Sequence, residues 1–225
     1  MTGALSLEDG AKVVAVRSKA LRRLAGGGAM ASLGAGRERA EELAARAEGV
    51  GVAAVNGPSS TVVTGPPEQV RAVVADAERA GLRARLVEVD YASHSPQVDL
   101  IAGELTRALA GVAPAASSVA FCSTVTADTV ETTGLDGGYW VANLREPVRF
   151  EESVQALLAA GHRVFIEVGP HPVLTWGMQE CFEEAGVDAV TIPTLRRGQG
   201  GRAQLAHALA QAHTAGVPLD WSPWY

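Results

Sequence analysis

Residues 28–90 switch back and forth between two hydrophobic periods, and the order of the switching restricts the fold more than any other feature. "AMASLG" (29–34) is a short apolar run. "RERAEELAARAEG" then sets a charged face at helical spacing. "VGVAAVNG" and "STVVTG" are rich in β-formers and meet across Asn56-Gly57-Pro58-Ser59, a sequence suited to a tight turn. "PPEQVRAVVADAERAG" has prolines in its first turn and a glycine after its end, the asymmetry that marks a helix. "LRARLVEV" closes the series. The order β-α-β-β-α-β predicts a ferredoxin-like small subdomain over 28–90.

The flanking segments read differently. "SLEDGAKVVAVRSKALRRL" predicts a helix capped by Ser6 with Asp9, with an apolar stripe of Val13, Val14, Ala20, Leu21 and Leu24, stopped at Gly26–Gly28. A second helix is expected over 95–110, with Ser95 as cap, Pro96 in the first turn, and Val98, Ile101, Leu105 and Leu109 on one face. Beyond it come a strand "VAFCSTVT", a turn or exposed loop "TTGLDGG", and a helix "EESVQALLAAG". "RVFIEV" reads as a buried parallel strand. A helix "VLTWGMQECFEEAG", a strand "DAVTIP", a final helix and the extended aromatic end "VPLDWSPWY" complete the chain. Strands alternating with helices over 91–200 imply a parallel α/β layer, with few strands for a full sheet. The expected organisation is therefore α/β: segments 1–27 and 91–205 form one subdomain, 28–90 is inserted into it, and 206–225 is a last helix with a trailing linker.

Bulk properties narrow the function classes. The 225 residues carry a net charge of -6, which argues against general nucleic-acid binding, since that needs a basic footprint. No apolar run is long enough to span a membrane. The first residues lack the basic start and apolar core of a signal peptide. Cys122 and Cys181 match no metal motif, so a reducing cytoplasm without a metal site is the simplest setting.

The chemistry centres on "VEVDYASHSPQVD" (87–99). His94 stands just before a predicted helix, whose dipole favours the neutral imidazole and suits it to act as a general base. A histidine that merely packs at a turn fits the same position. No serine lies in a G-x-S-x-G elbow, and neither cysteine lies in an activating helix-entry turn. Arg17 sits among Val13, Val14 and Leu21, which is unusual unless its planar fork reaches a carboxylate or phosphate; a snorkelling arginine is the alternative. His171 in "EVGPHPVL" is a rival base, although its flanking prolines suit a structural turn. Trp140 and Arg145 in "YWVANLREPVRF" fit a pocket lining or a packed loop equally well.

Taken together, "GALSLEDGAKVVAVRSKAL", "AAVNGPSSTVVTG", "VDYASHSPQVD", "YWVANLREPVRF" and "FIEVGPHPVL" resemble the acyltransferase domains of modular type I polyketide synthases. The stretches span nearly the whole chain in the family's order, and "VPLDWSPWY" is similar to the linker that follows such domains. The resemblance implies an α/β-hydrolase-like subdomain, here incomplete, carrying the ferredoxin-like insert. It implies transfer of a malonyl-type extender unit from coenzyme A through a serine to the phosphopantetheine thiol of an acyl carrier protein. Neighbouring synthase domains are the further partners, and no cofactor is held by the chain itself. His94 takes the place of the general base. The "EVGPHP" segment is expected to supply a backbone carbonyl that orients it. Arg17 takes the place of the arginine that pairs with the free carboxylate of the extender unit. Tyr91-Ala92-Ser93-His94 matches the family's "YASH" form, which goes with methylmalonyl rather than malonyl units, so Tyr91 and Ser93 are expected to shape specificity. Serine in place of phenylalanine at 93 leaves room for the extra methyl.

The match also has a gap. The family's Gly-His-Ser-x-Gly elbow is not in these residues. The resemblance sets "GALSLEDGAK" just after it, so the elbow, the oxyanion-hole segment and several strands are expected outside this chain. The chain alone is then expected to form no acyl-enzyme. Two other readings stand beside this one: part of a malonyl-CoA:carrier-protein transacylase of fatty-acid synthesis, and a non-catalytic remnant.

Overall fold

An antiparallel sheet organises the first part of the computed structural model, which describes residues 2–224. Its strands are β1 (Ala29–Leu33), β2 (Gly51–Gly57), β3 (Ser60–Gly65) and β4 (Ala84–Leu86), ordered β4-β1-β3-β2. Helices α2 (Arg37–Ala44) and α3 (Pro67–Arg79) complete the β-α-β-β-α-β order expected from sequence. The β2–β3 turn closes with Gly57 opposite Ser60, so Pro58 and Ser59 make the connection. Ala31, Leu33 and Val63 from the sheet meet Ala40, Leu43, Val70, Val73 and Ala77 from the helices in one buried cluster. Each large side chain buried there contributes roughly 1.5–3 kcal/mol. Leu43→Ala would open a cavity in that cluster.

The helices around this sheet belong to the same compact unit, which ends at Ser153. Helix α1 (Leu7–Leu21) begins at Ser6, whose hydroxyl accepts from the Asp9 amide, as the capping pattern predicts. Its buried stripe runs through Val13 and Ala20, whereas Val14 is 65% exposed. Val14 therefore faces away from the α1–α4 contact, despite its place in the predicted stripe. Helix α4 (Asp99–Leu109) follows a 3-10 turn over Pro96–Val98, and Ser95 caps that turn by accepting from the Gln97 amide. Ile101 and Leu105 of α4 join Ala20, Leu24, Val98 and Leu144 in a second buried cluster.

The stretch after α4 refines the sequence reading. "TTGLDGG" is the turn that the sequence offered, with a 3-10 turn over Thr132–Gly134; Thr132, Leu135 and Gly137 in it are buried, and Thr133, Gly134, Asp136 and Gly138 are exposed. A Cβ on Gly137 would come within 2.9 Å of the Leu109 carbonyl, so only glycine lets this segment close on the end of α4. "GYWVANLR" is helix α5 (Gly137–Arg145), started by Asp136, which accepts from the Tyr139 amide. The strand expected over "VAFCSTVT" is shorter, β5 (Phe121–Ser123), and pairs antiparallel with β6 (Asp128–Val130). After α5, β7 (Val148–Arg149) joins the main sheet parallel to β2.

Helix α6 (Phe150–Ala159) crosses into the second unit, which begins at Val154. There β8 (Val164–Glu167) and β9 (Val190–Pro193) pair in parallel, joined by α7 (Thr175–Ala185). The parallel pairing was expected; the burial expected with it is not found, because β8 is only partly buried and Ile166 stays 47% exposed. Phe182 of α7 packs on Phe165, with ring centroids 5.1 Å apart. Helix α8 (Arg202–Thr214) buries Ala208 and Ala212 against Ile192, and Val217 and Leu219 of the aromatic tail pack on the same cluster.

Candidate active site

The first unit brings Tyr91, Ser93, His94 and Arg17 to one place, around the end of α5. The turn carrying "YASH" lies tight against β1. A Cβ on Gly28 would meet the Ala92 nitrogen at 2.2 Å, so glycine is required for that approach. The Ala92 amide donates to Gln97 Oε1 (2.7 Å), and Ser95 Oγ donates to the Ala92 carbonyl (2.7 Å). Thr64 of β3 donates its hydroxyl to the Ser93 carbonyl (3.0 Å). These bonds hold His94 at φ +57°, left-handed backbone that non-glycine residues rarely adopt. Strain of this kind is sustained only where surrounding bonds determine it.

The last turn of α5 supplies two more of those bonds. The His94 amide donates to the Leu144 carbonyl at 2.9 Å. His94 Nδ1 lies 2.8 Å from the Glu146 carbonyl. A carbonyl only accepts, so Nδ1 carries the proton and Nε2 keeps its lone pair. The orienting carbonyl is thus that of Glu146, not one from "EVGPHP". Pro147 follows Glu146, which ends the helix and leaves that carbonyl free of an intrahelical partner. Burial is the main influence on the His94 titration and lowers it below the ordinary histidine value. The Glu146 bond works against burial, and the Arg17 charge adds to it.

Arg17 reaches the same place from α1. Its Nη1 donates to Asn143 Oδ1 at 2.7 Å. Burial lowers its pKa, and the nearby Tyr91 phenol partly offsets that. Among the described residues no carboxylate pairs with it. A desolvated guanidinium held only by a neutral amide retains N–H donors and a charge for an incoming anion. Tyr91 packs at the edge of the α1–α4 cluster. Ser93 is buried, and its hydroxyl turns toward Met30 Sδ on β1 (3.4 Å), a neighbour that sequence alone did not indicate.

The other candidates have structural partners. Trp140 donates its indole N–H to the Leu135 carbonyl (2.8 Å), and Arg145 donates to Asp99 of α4 (2.8 Å). His171, in the second unit, is exposed and accepts from the Arg197 amide (3.3 Å). In the same segment Glu167 accepts from the amides of Val173, Leu174 and Thr175, and from the Thr175 hydroxyl (2.8 Å). Among the described residues no group of His, Cys, Asp and Glu is arranged to hold a metal, and no helix is long and apolar enough to cross a membrane.

Known proteins share this sequence and this fold. A family model described as "Acyl transferase domain" matches residues 1–218. The spectinabilin polyketide synthase system protein NorA of Streptomyces orinoci is 51% identical over 99% of this chain, which covers 12% of that protein. The erythronolide synthase EryA3 of Saccharopolyspora erythraea is 46% identical over 99% of this chain, covering 7% of it. The acyltransferase domain from module 8 of the salinomycin polyketide synthase superposes with a TM-score of 0.94 at 50% identity, over 98% of this chain and 52% of that one. Malonyl-CoA:acyl carrier protein transacylase of Xanthomonas oryzae gives 0.80 at 30% identity, over 93% of this chain and 66% of that one. The chain thus spans a small part of its curated relatives and about half of the salinomycin domain, and it belongs to the acyl transferase domain family found in modular polyketide synthases.

Proposed function

We propose that the chain is part of an acyltransferase that passes a methylmalonyl unit from coenzyme A to the phosphopantetheine thiol of an acyl carrier protein. The observation that carries this reading is the pairing of a neutral imidazole with an unpaired, desolvated guanidinium at the end of α5. His94 Nε2 takes the proton of the attacking hydroxyl, then returns it to the departing thiol. Arg17 binds the free carboxylate of the acyl unit, which separates malonyl-type units from simple acyl chains. The serine nucleophile is not among these 225 residues, so on this reading it comes from another part of the domain. Leu7 and Val14 of α1, with Phe121, Leu135 and Trp140, line an apolar cavity of about 920 Å³ suited to receive that part.

In family terms, the β4-β1-β3-β2 sheet with its two helices is the ferredoxin-like insert, and the remainder is the hydrolase-like subdomain. The methylmalonyl preference rests on Tyr91 and Ser93. One methyl is worth roughly 1–3 kcal/mol, so neighbouring residues such as Met30 must share the discrimination. In a complete domain, Ser93→Phe with Tyr91→His is expected to shift loading toward malonyl-CoA; unchanged selectivity in a competition assay would refute the role. The higher identity to polyketide synthases favours this reading over the fatty-acid transacylase.

The direct test is titration calorimetry of the chain with methylmalonyl-CoA and propionyl-CoA, which differ by the carboxylate. Tighter binding of methylmalonyl-CoA, lost in Arg17→Gln, supports the reading. Equal binding of the two thioesters contradicts it.

A further inference from the structure

One rung of the sheet reaches the candidate base. Met30 of β1 and Thr64 of β3 stand directly opposite each other in the antiparallel register, so their side chains share a face. Val63 packs among the helices on one side of the sheet, and alternation puts Thr64 on the opposite face. There the two side chains grip one residue between them. Thr64 Oγ1 donates to the Ser93 carbonyl at 3.0 Å, and Ser93 Oγ donates to Met30 Sδ at 3.4 Å. Thr64 is 1% exposed, so its hydroxyl has no solvent to turn to.

The carbonyl that Thr64 binds belongs to the peptide joining Ser93 to His94. The amide on the other edge of that peptide donates to the Leu144 carbonyl at 2.9 Å. A planar peptide bonded on both edges does not turn freely about its flanking bonds. One bond comes from the sheet and the other from α5, so two elements far apart in sequence fix the plane. That plane sets the backbone of His94, whose φ of +57° is one that a histidine abandons when it is free to do so. The ring is then tied through Nδ1 to the Glu146 carbonyl, 2.8 Å away. The proton stays on Nδ1, and the lone pair on Nε2, only while the backbone keeps the ring in place.

We propose that Thr64 is a positioning residue for His94: its hydroxyl, seated on the Met30–Thr64 rung, pins the Ser93–His94 peptide and so holds the imidazole in the Nδ1–H tautomer that a general base requires. The link to catalysis rests on the reading of His94 as base; the tautomer part stands on the hydrogen bonds alone. Thr64→Val removes the donor, keeps the shape and leaves the carbonyl of a buried residue without that bond. Thr64→Ser keeps the hydroxyl. Thr61 offers a matched control on the same strand. It is fully buried, and its hydroxyl has no hydrogen-bond partner among the described residues, so Thr61→Val makes the same chemical change without breaking a bond.

The test is side-chain nitrogen NMR of the histidine-labelled chain at a pH where the imidazoles are neutral, which reads the ring nitrogen that carries the proton. The unsubstituted chain should show His94 protonated at Nδ1. In Thr64→Val the ratio of Nδ1–H to Nε2–H should fall about fivefold, the weight of one hydrogen bond, and Thr64→Ser should recover it. Thr61→Val should match the unsubstituted chain. An Nε2–H ring in the unsubstituted chain, a ratio that survives Thr64→Val, a folded Thr64→Ser chain that does not recover it, or an equal fall in Thr61→Val overturns the role. Should Thr64→Val fail to fold, Thr64→Cys decides in its place, because a thiol is a weaker donor of similar size. An intermediate ratio then supports the role and an unchanged one overturns it. Undiminished acyl transfer by a complete domain carrying His94→Gln would sink the reading of His94 as base, while the tautomer ratios would still decide the pinning.

Discussion

Two turns in this chain deliver a histidine ahead of a helix, close to proline: Ser93-His94-Ser95-Pro96 and Gly169-Pro170-His171-Pro172. They resolve in opposite ways. In the first, a neutral serine caps the following turn, and the histidine is drawn inward at positive φ with its ring on the Glu146 carbonyl. In the second, the Glu167 carboxylate takes the amides at the start of α7, and the histidine is left outside. A helix N-terminus is an anion site, and Glu167 satisfies it from within the chain. The lesson is that a histidine at such a turn becomes a candidate base only through its surroundings. Burial, a carbonyl on Nδ1 and a neighbouring cation distinguish His94; sequence position does not.

The contrast can be broken most severely at Glu167. Glu167→Ala strips a carboxylate from three amides and a hydroxyl, and the second unit should lose about 3 kcal/mol. Hydrogen exchange at Val173, Leu174 and Thr175 should accelerate, while the amides of Gln97 and Val98 stay protected. Uniform acceleration in both units would show that the cap is not local.

Gly28 and Gly169 make the next comparison. Gly28→Ala drives a Cβ into the Ala92 backbone and should cost about 2 kcal/mol. At Gly169 the nearest atom to a new Cβ is the His171 carbonyl at 3.7 Å, an ordinary contact, so Gly169→Ala should stay within about 0.5 kcal/mol. Denaturant midpoints for the two variants check both values, and equal losses would contradict the account of the first turn. The smallest effect is expected from His171→Ala, within about 0.5 kcal/mol, because its ring is exposed and makes one long bond.

How far these turns were legible in sequence follows from what local patterns encode. The strand and helix order of 28–90 was readable, because periods of 2 and 3.6 are local properties. Ser6 and Ser95 announced their caps. Helix α5 was not readable: its aromatic residues favour strands, and Gly137-Gly138 suggested a turn. Asp136 three residues before Tyr139 was the available signal. Missing α5 hid everything it positions. The Glu146 carbonyl has no side-chain signature. Arg17 and His94 were named from their positions and the family resemblance. Their shared environment required the tertiary structure.

The most direct measurement is the NMR titration of His94, in the unsubstituted chain and in Arg17→Gln. Burial and the Arg17 charge place its midpoint below 6.5, and Arg17→Gln should move it part of the way back up. The sign for stability follows. A folded-state value below the unfolded one means that the unfolded chain binds the proton first, so this contribution is present above about pH 6.5 and is lost as pH falls through the folded midpoint. A midpoint at or above 6.5, or one indifferent to Arg17, would contradict the claim that imidazole and guanidinium share one site.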